Sequence, residues 1–508
     1  MIKKLEFFIN YHYPTNLERH IYFHNYSTLY MIRNQPKILN IYFLTEMCER
    51  FGFYVIQCML IFYLINSLKL SEEVSYGILG SITALSYCNT VIGGYISDKI
   101  IGHKFSVLLA SLMLSVGYGS LSALDNLNMI VLSLSFITVG IGLLVPSIRC
   151  MVSLLYNQDD VRRHSGFTFC YIGVNIGAIA GETISSVIQK NFGWDSAFII
   201  SSAILLLCFI IFSRGTNHFG IKNTIDKISG KRISLAFIII LINTIISYYV
   251  IKIQSFSIMF FSFIAFMCLV YIIYSSYKSS TLMRKRFVSF LILMFISTLY
   301  WSIYFQMFFS MNLFVDHSIE KNVFSVSIPT TFFPAIEALS VIFFGPVLVF
   351  AWQWIPYKYP KLNPTIFMKF LLALIIQCFA FGLLFLISFM KNEHELTNAL
   401  LIVPTYLMIG IGELLFMPPG LSMIGELFPK NIIGFMLGIF LISIAFGGEI
   451  AGLIAGISTI QEGLLFGYLS INNTYQGRFL IYFIFSIVTV IIGLFFLPIL
   501  KKLTNEKN

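Results

Sequence analysis

Residues 34–60 read NQPKILNIYFLTEMCERFGFYVIQCML, and from Ile38 the apolar character continues to Asn66. That is long enough for a helix to cross the roughly 30 Å hydrocarbon core of a bilayer. Inside it stand Glu46, Glu49 and Arg50. A charge placed there costs roughly 2.5–3.5 kcal/mol on insertion scales, so such residues face a protein interior or a watery cavity and mark a use. At i, i+3 and i+4 the three share one helix face, with Tyr54 one turn beyond Arg50. A carboxylate beside a guanidinium is held ionised, and takes up a proton when the guanidinium turns to another anion. The face therefore reads as a proton-coupling device, against the plainer alternative of a static ion pair that fastens the helix.

The rest of the chain repeats the pattern. Of 508 residues, 57% are apolar and 11% charged, where a soluble protein carries about 25% charged residues. Six apolar spans are expected at 38–66, 75–97, 105–123, 128–153, 165–189 and 196–213. Six more are expected at 287–310, 326–352, 366–390, 399–424, 432–458 and 478–500, with an extra pair at 233–251 and 255–277. The total is fourteen, and the spans are too long and too uniformly apolar for barrel strands. In hydrocarbon, helices satisfy every backbone amide internally. The eight cysteines lie within apolar segments and form no CxxC pair, so neither disulfides, nor a metal site, nor a cofactor is expected. The first residues lack the apolar core and cleavage site of a secretory signal.

The formal charge of +10 could suggest nucleic acid, but the placement of the basic residues argues otherwise. With alternating spans and the N-terminus inside, 25 of the 33 Lys and Arg fall on the inner side, six outside, and two, Arg50 and Arg149, within spans. This bias puts both termini in the cytoplasm of a multi-pass membrane protein. It leaves the bilayer as partner and no nucleic acid. The expected organisation is a cytoplasmic extension (1–37), a six-helix bundle (38–213), basic linkers with two extra helices (214–286), a second six-helix bundle (287–500) and a tail (501–508). This all-α membrane plan of two six-helix bundles resembles the major facilitator fold, in which substrate binds at the midplane between the halves. The string GGYISDKIIGHK (93–104) fits that superfamily's loop signature through Gly94, Asp98, Gly102 and Lys104. Small residues there let helices pack closely, and the Asp can meet a neighbouring helix N-terminus and stabilise one state of a gate; an ordinary tight turn is the alternative.

The opening stretch resembles the start of the proton-dependent oligopeptide transporters, whose first helix carries ExxERF, here Glu46, Glu49, Arg50 and Phe51. Further matches follow in order: GFTFCYIGVNIGAIAG (166–181), NLFVD (312–316), GELLFMPPGLS (412–422) and GFMLGIFLISIAFGGEIAG (434–452). The extra helix pair looks like the bacterial branch, which implies a place in the plasma membrane (bacterial inner membrane). The resemblance implies that Glu46, Glu49 and Arg50 couple protons and meet the peptide's carboxylate end, while Asn175 and Glu413 hold its amino end. A dipeptide about 7 Å long would then span the two bundles.

The sequence also departs from the family. In GIGLLVPSIRC (140–150) Val145 stands where the family usually has Lys before Pro, leaving Arg149, four residues on, either to supply the cation or to anchor the helix end by snorkelling. Glu337 stands where Asn is common, Glu182 replaces a common Pro, and Glu449 adds a carboxylate. Phe53, Phe305, Met417 and Phe440 replace residues that are typically Tyr, Glu, Ser and Trp. Glu182 and Glu449 also fit structural partners of hydroxyl or backbone groups. With Arg50 and Glu413 counted in both roles, the expected proton-coupling set is Glu46, Glu49, Arg50 and Glu413. The expected substrate set is Arg50, Tyr54, Arg149, Asn175, Glu337 and Glu413. The implied function is monomeric, proton-coupled import of di- and tripeptides, with the excess of buried acids favouring basic or other small cationic substrates. The alternatives are another major facilitator carrier such as a drug exporter, a polytopic membrane enzyme, for which no HExxH, Walker or nucleophile-elbow motif is present, and a channel.

Overall fold

The computed structural model describes residues 35–504 apart from 124–125, 158–159, 161, 226–227, 324–325, 360–364, 390–395, 430–431 and 461–473. Most of the expected N-terminal extension, and the tail beyond 504, lie outside the described residues. The first bundle comprises α1 (Leu39–Phe62, continued by a π-turn Tyr63–Ser67), α2 (Glu72–Ile96), α3 (His103–Leu121), α4 (Leu127–Leu154), α5 (Arg162–Phe192) and α6 (Trp194–His218). Then come the linker helices α7 (Gly230–Lys252) and α8 (Gln254–Tyr277). The second bundle is α9 (Thr281–Tyr304) with its continuation α10 (Ser310–Ser318), followed by α11 (Ala335–Lys358), α12 (Ile366–Ser388), α13 (Val403–Leu427), α14 (Ile433–Ile460) and α15 (Thr474–Thr504). Counting α9 and α10 as one span, fourteen helices are present among the described residues, as the sequence implied. Thirteen are long and apolar enough to cross a membrane. The remaining one, α2, carries Ser, Thr, Gly and Asn along its buried face.

Helix starts follow local chemistry. Side chains of Ser71, Ser229, Ser280 and Thr365 accept from the backbone N–H three residues on, at the starts of α2, α7, α9 and α12, which satisfies an otherwise orphaned donor. Two features differ from the sequence reading. The span expected at 287–310 breaks into a tight turn at Phe305–Met307 before α10 resumes, and the helix expected from 326 begins at Ala335. Between them lie short strands β1 (Ile319–Glu320), β2 (Asn322–Val323) and β3 (Val326–Ser327); β2 pairs antiparallel with β3, and β1 parallel with β4 (Thr397–Asn398). They define a hairpin end of the molecule, opposite a basic end that holds the start of α1 and the α2–α3 turn.

Within the first bundle α1 packs on α5 and α3 on α4; within the second, α12 packs on α13 and α15. The bundles meet chiefly through α2 against α14 and α5 against α11. The α2–α14 seam depends on glycine. A Cβ at Gly80 would stand 3.0 Å from the Cα of Gly452, and one at Gly448 would stand 2.8 Å from Thr83 Cγ2. Small residues admit this approach of two backbones in lipid, where packing rather than hydrophobic exclusion drives association. The linker helices sit beside the seam, α7 on α4 and α2, α8 on α9. Their outward residues, such as Ile238 and Phe263, are apolar and exposed, as a lipid-facing surface requires.

Candidate functional site

On α1, Arg50 clasps Glu49 with two bonds, Nε to Oε2 at 2.5 Å and Nη2 to Oε1 at 2.6 Å. Both residues are buried, and the guanidinium lies over the Phe53 ring, 4.3 Å from its centroid. Two parallel N–H···O bonds match the planar fork of an arginine to a carboxylate, so this pair is closed in the absence of another anion. Glu46, on the same face, turns instead toward Arg149 of α4, with Oε1 4.0 Å from its Nε. Arg149, expected to be buried, is half exposed, at 48% of its side chain. Besides Arg50, Arg478 is buried, although the charge tally counted it among the residues of the outer side. Its side chain is 3% exposed and its Nη1 is 2.7 Å from Glu72 Oε2. A long side chain folded inward at a helix start carries no periodic signal that would have revealed it.

On the second bundle, Glu413 of α13 accepts from the Tyr304 hydroxyl at 2.6 Å and is met by the Tyr171 hydroxyl of α5 at 3.5 Å. Glu337, buried on the first turn of α11, lies within electrostatic range of both Glu413 and Tyr304. One of its oxygens, Oε1, has no partner among the described residues. Asn175 donates to the Tyr171 carbonyl of its own helix at 2.9 Å. The α5 side chain that reaches Glu413 is thus Tyr171, one turn from Asn175; sequence reading missed it, along with Tyr304. Tyr54 and Tyr87 come within electrostatic range of Glu413 on one side and of Arg50 on the other. The arrangement is a row of hydroxyls between a guanidinium on one bundle and two carboxyls on the other.

The hairpin end of this space is closed. Besides the Glu72–Arg478 pair, Asn312 Nδ2 donates to the Cys58 carbonyl at 2.9 Å, Thr331 Oγ1 to the Glu182 carbonyl at 3.2 Å, and Lys190 Nζ to Ser327 Oγ at 3.1 Å, each from one bundle to the other. Toward the basic end, Tyr171 is 39% exposed even though it touches Glu413.

The other singled-out acids are structural in their contacts. Glu449 accepts from Ser257 of α8 at 2.6 Å and from Ser81 of α2 at 3.3 Å, tying three elements together. Glu182 is met by the Cys58 thiol at 3.6 Å. In the loop signature, the close helix contact comes from Gly93, where a Cβ would collide with the Gly142 carbonyl, while Gly94 meets only Pro146 Cβ at 3.8 Å. Gly102 has φ +78°, a left-handed value that suits glycine. Asp98 faces His103, Oδ1 to Nε2 at 3.2 Å, and Lys104 Nζ donates to Asn217 Oδ1 at 2.8 Å and the Ile221 carbonyl at 2.9 Å. The turn is fixed within its own bundle.

A profile of the POT family (PTR2) matches residues 104–465. The chain belongs to the POT family. Among similar proteins of the family are dipeptide and tripeptide permease A of Proteus mirabilis, 26% identical over 475 residues (93% of this chain and 96% of the relative), and its Escherichia coli counterpart, 25% identical over 478 residues (93% and 94%). Solved structures with the same fold include a mutant of the peptide transporter POT in complex with alafosfalin, with TM-score 0.79, 21% identity and coverage of 93% of this chain and 96% of that one. Tetrameric PepTSo2 matches with TM-score 0.78 at 21% identity, covering 92% and 99%. POT membership makes the chain a membrane transporter rather than an enzyme.

Proposed function

We propose that this POT protein imports di- and tripeptides together with protons across the plasma membrane (bacterial inner membrane), acting as a monomer whose whole site lies within one chain. The carrying observation is the pairing of Arg50 with Glu49 on one bundle across a row of tyrosines from Glu413, Tyr304 and Glu337 on the other. A zwitterionic peptide has one charge for each side. When its carboxylate draws Arg50 away, Glu49 loses its counter-ion and becomes the proton acceptor. Glu46, next to Arg149, is the second member of that exchange, with Arg149 serving as the cation that Val145 does not provide. Glu413, with Asn175 nearby on α5, takes the amino end, and Tyr54 lines the path. With both termini cytoplasmic, the basic end faces the cytoplasm and the arrangement is an inward-open state. The α2–α3 turn around Gly94, Asp98, Gly102 and Lys104 belongs to the cytoplasmic gate.

Glu337 adds a second carboxyl beside Glu413, and this favours basic peptides or other small cations. The test is uptake of dialanine and dilysine into vesicles of purified protein under an imposed inward proton gradient. Both should accumulate, and Glu337→Asn should weaken dilysine uptake more than dialanine uptake. Uptake that ignores the gradient would overturn symport, and equal losses would overturn the cationic preference. Export of lipophilic cations without any peptide movement would favour a drug carrier instead.

A further inference from the structure

The α2–α3 turn brings together three metal-ligating side chains, of which Asp98 alone has a role above, in the gate, while His103 and Cys150 have none. Asp98 follows α2, His103 opens α3, and Cys150 lies near the end of α4; one ligand atom from each falls within 4.8 Å of the others. Around a tetrahedral zinc, with bonds of about 2.0–2.3 Å, donor atoms stand roughly 3.3–3.8 Å apart, so a small inward closure completes the geometry. Asp98 Oδ1 and His103 Nε2 are already 3.2 Å apart.

The imidazole is 5% exposed, and its Nδ1 has no hydrogen-bond partner among the described residues. A buried ring that makes so little use of its nitrogens is not held by hydrogen bonding, and its polar outlet is the one facing Asp98. The backbone around it is firmly set. His103 N–H donates to Thr224 Oγ1 at 3.0 Å, Lys104 N–H donates to Asn223 Oδ1 at 3.1 Å, and Gly102 holds the left-handed bend. Two of the nearby cations are directed elsewhere: Lys104 toward the end of α6, Arg149 toward Glu46. Asp98 is exposed, so an ion can enter from water.

We propose that Asp98, His103 and Cys150 form a three-ligand zinc site with a water in the fourth position, clamping the α2–α3 turn to α4. The mixed nitrogen, oxygen and sulfur donor set suits Zn2+. On binding, the Cys150 thiol gives its proton to solvent as the zinc–sulfur bond forms; two anionic ligands then balance the ion's charge. Because Arg149 is the residue before Cys150, the clamp also fixes the helix end that presents Arg149 to Glu46. The metal site is independent of the transport reading, whereas its effect on uptake rests on that reading.

The purified full-length protein is titrated with cobalt chloride, with thiolate-to-cobalt absorption as the readout and zinc chloride as competitor. One saturable equivalent displaced by zinc is expected, with the band lost in Cys150→Ser. Loss of a supporting outer-shell group costs about 10–100-fold in affinity, so Asp98→Asn, which removes a direct ligand, should keep the band and bind at least about tenfold more weakly. Absence of a band in the wild type, or an unchanged band in Cys150→Ser, overturns the site. In vesicles, zinc on the face carrying the turn should slow dialanine uptake by the wild type and leave Cys150→Ser at its zinc-free rate. Bound zinc without slowing would overturn the clamp while leaving the site.

Discussion

Substituting Glu72→Gln tests whether the hairpin end works as a latch. Arg478 and Glu72 approach to 2.7 Å with the guanidinium side chain 3% exposed. At an effective dielectric of about 20 their gross attraction is roughly 6 kcal/mol, much of it offset by desolvation, and a charged hydrogen bond nets about 1.5–3 kcal/mol. The amide keeps the shape and one acceptor but removes the charge, so most of that net term is lost from the closed state alone, because the partners separate when the bundles part. At about 1.4 kcal/mol per decade, the ratio of open to closed hairpin ends should rise about tenfold to a hundredfold. The bonds Asn312–Cys58, Thr331–Glu182 and Lys190–Ser327 remain, so the fold survives. Spin labels at Asn66→Cys and Asn322→Cys, in a background without the eight native cysteines, report the distance across the hairpin end. A new longer distance should appear and grow with Glu72→Gln, and the swap Glu72→Arg with Arg478→Glu should suppress it. An unchanged distribution in a variant that melts like the wild type would refute the latch.

Two further outcomes follow from contacts already described. One proton crossing 100 mV supplies roughly 2.3 kcal/mol, enough for about fifty-fold accumulation; Glu49→Gln should reduce dialanine accumulation in energised vesicles to about the external level while counterflow exchange persists, and retained accumulation would exclude Glu49 from coupling. Gly93→Ala should lower stability by about 1–3 kcal/mol through overpacking against Gly142, whereas Gly94→Ala should be tolerated, as read by thermal melting in detergent.

The sequence reading located all fourteen helices because a membrane span advertises itself by length and apolarity, and it located the charged face of α1 because charges in such a span are conspicuous. It placed the helix contact on Gly94 instead of Gly93, since periodicity cannot choose between neighbours. It missed the break after Tyr304 because Phe305 to Val315 is almost continuously apolar, and the tight turn is set by tertiary packing. The Arg478–Glu72 pair joins positions 406 residues apart, and the tyrosines around Glu413 come from α5 and α9; neither partnership has a local signature. The Glu49–Arg50 clasp was also unexpected in detail. Spacing put Glu46, Glu49 and Arg50 on one face without choosing the partner of Arg50; the adjacent Glu49 takes both guanidinium bonds and leaves Glu46 to face Arg149 of α4.

The glycine seam between α2 and α14 has a mechanical meaning. If the bundles rock about the point where Gly80 meets Gly452, displacement grows with distance from that fulcrum. Groups beside it, such as Glu449 with its two serines, keep nearly the same neighbours in both orientations. Substitutions there should lower both states together and change expression or melting with little change in direction of opening. Groups at the two tips have long lever arms, so a single bond there tilts the balance, and evolution can retune which side opens by editing the tips without touching the fulcrum.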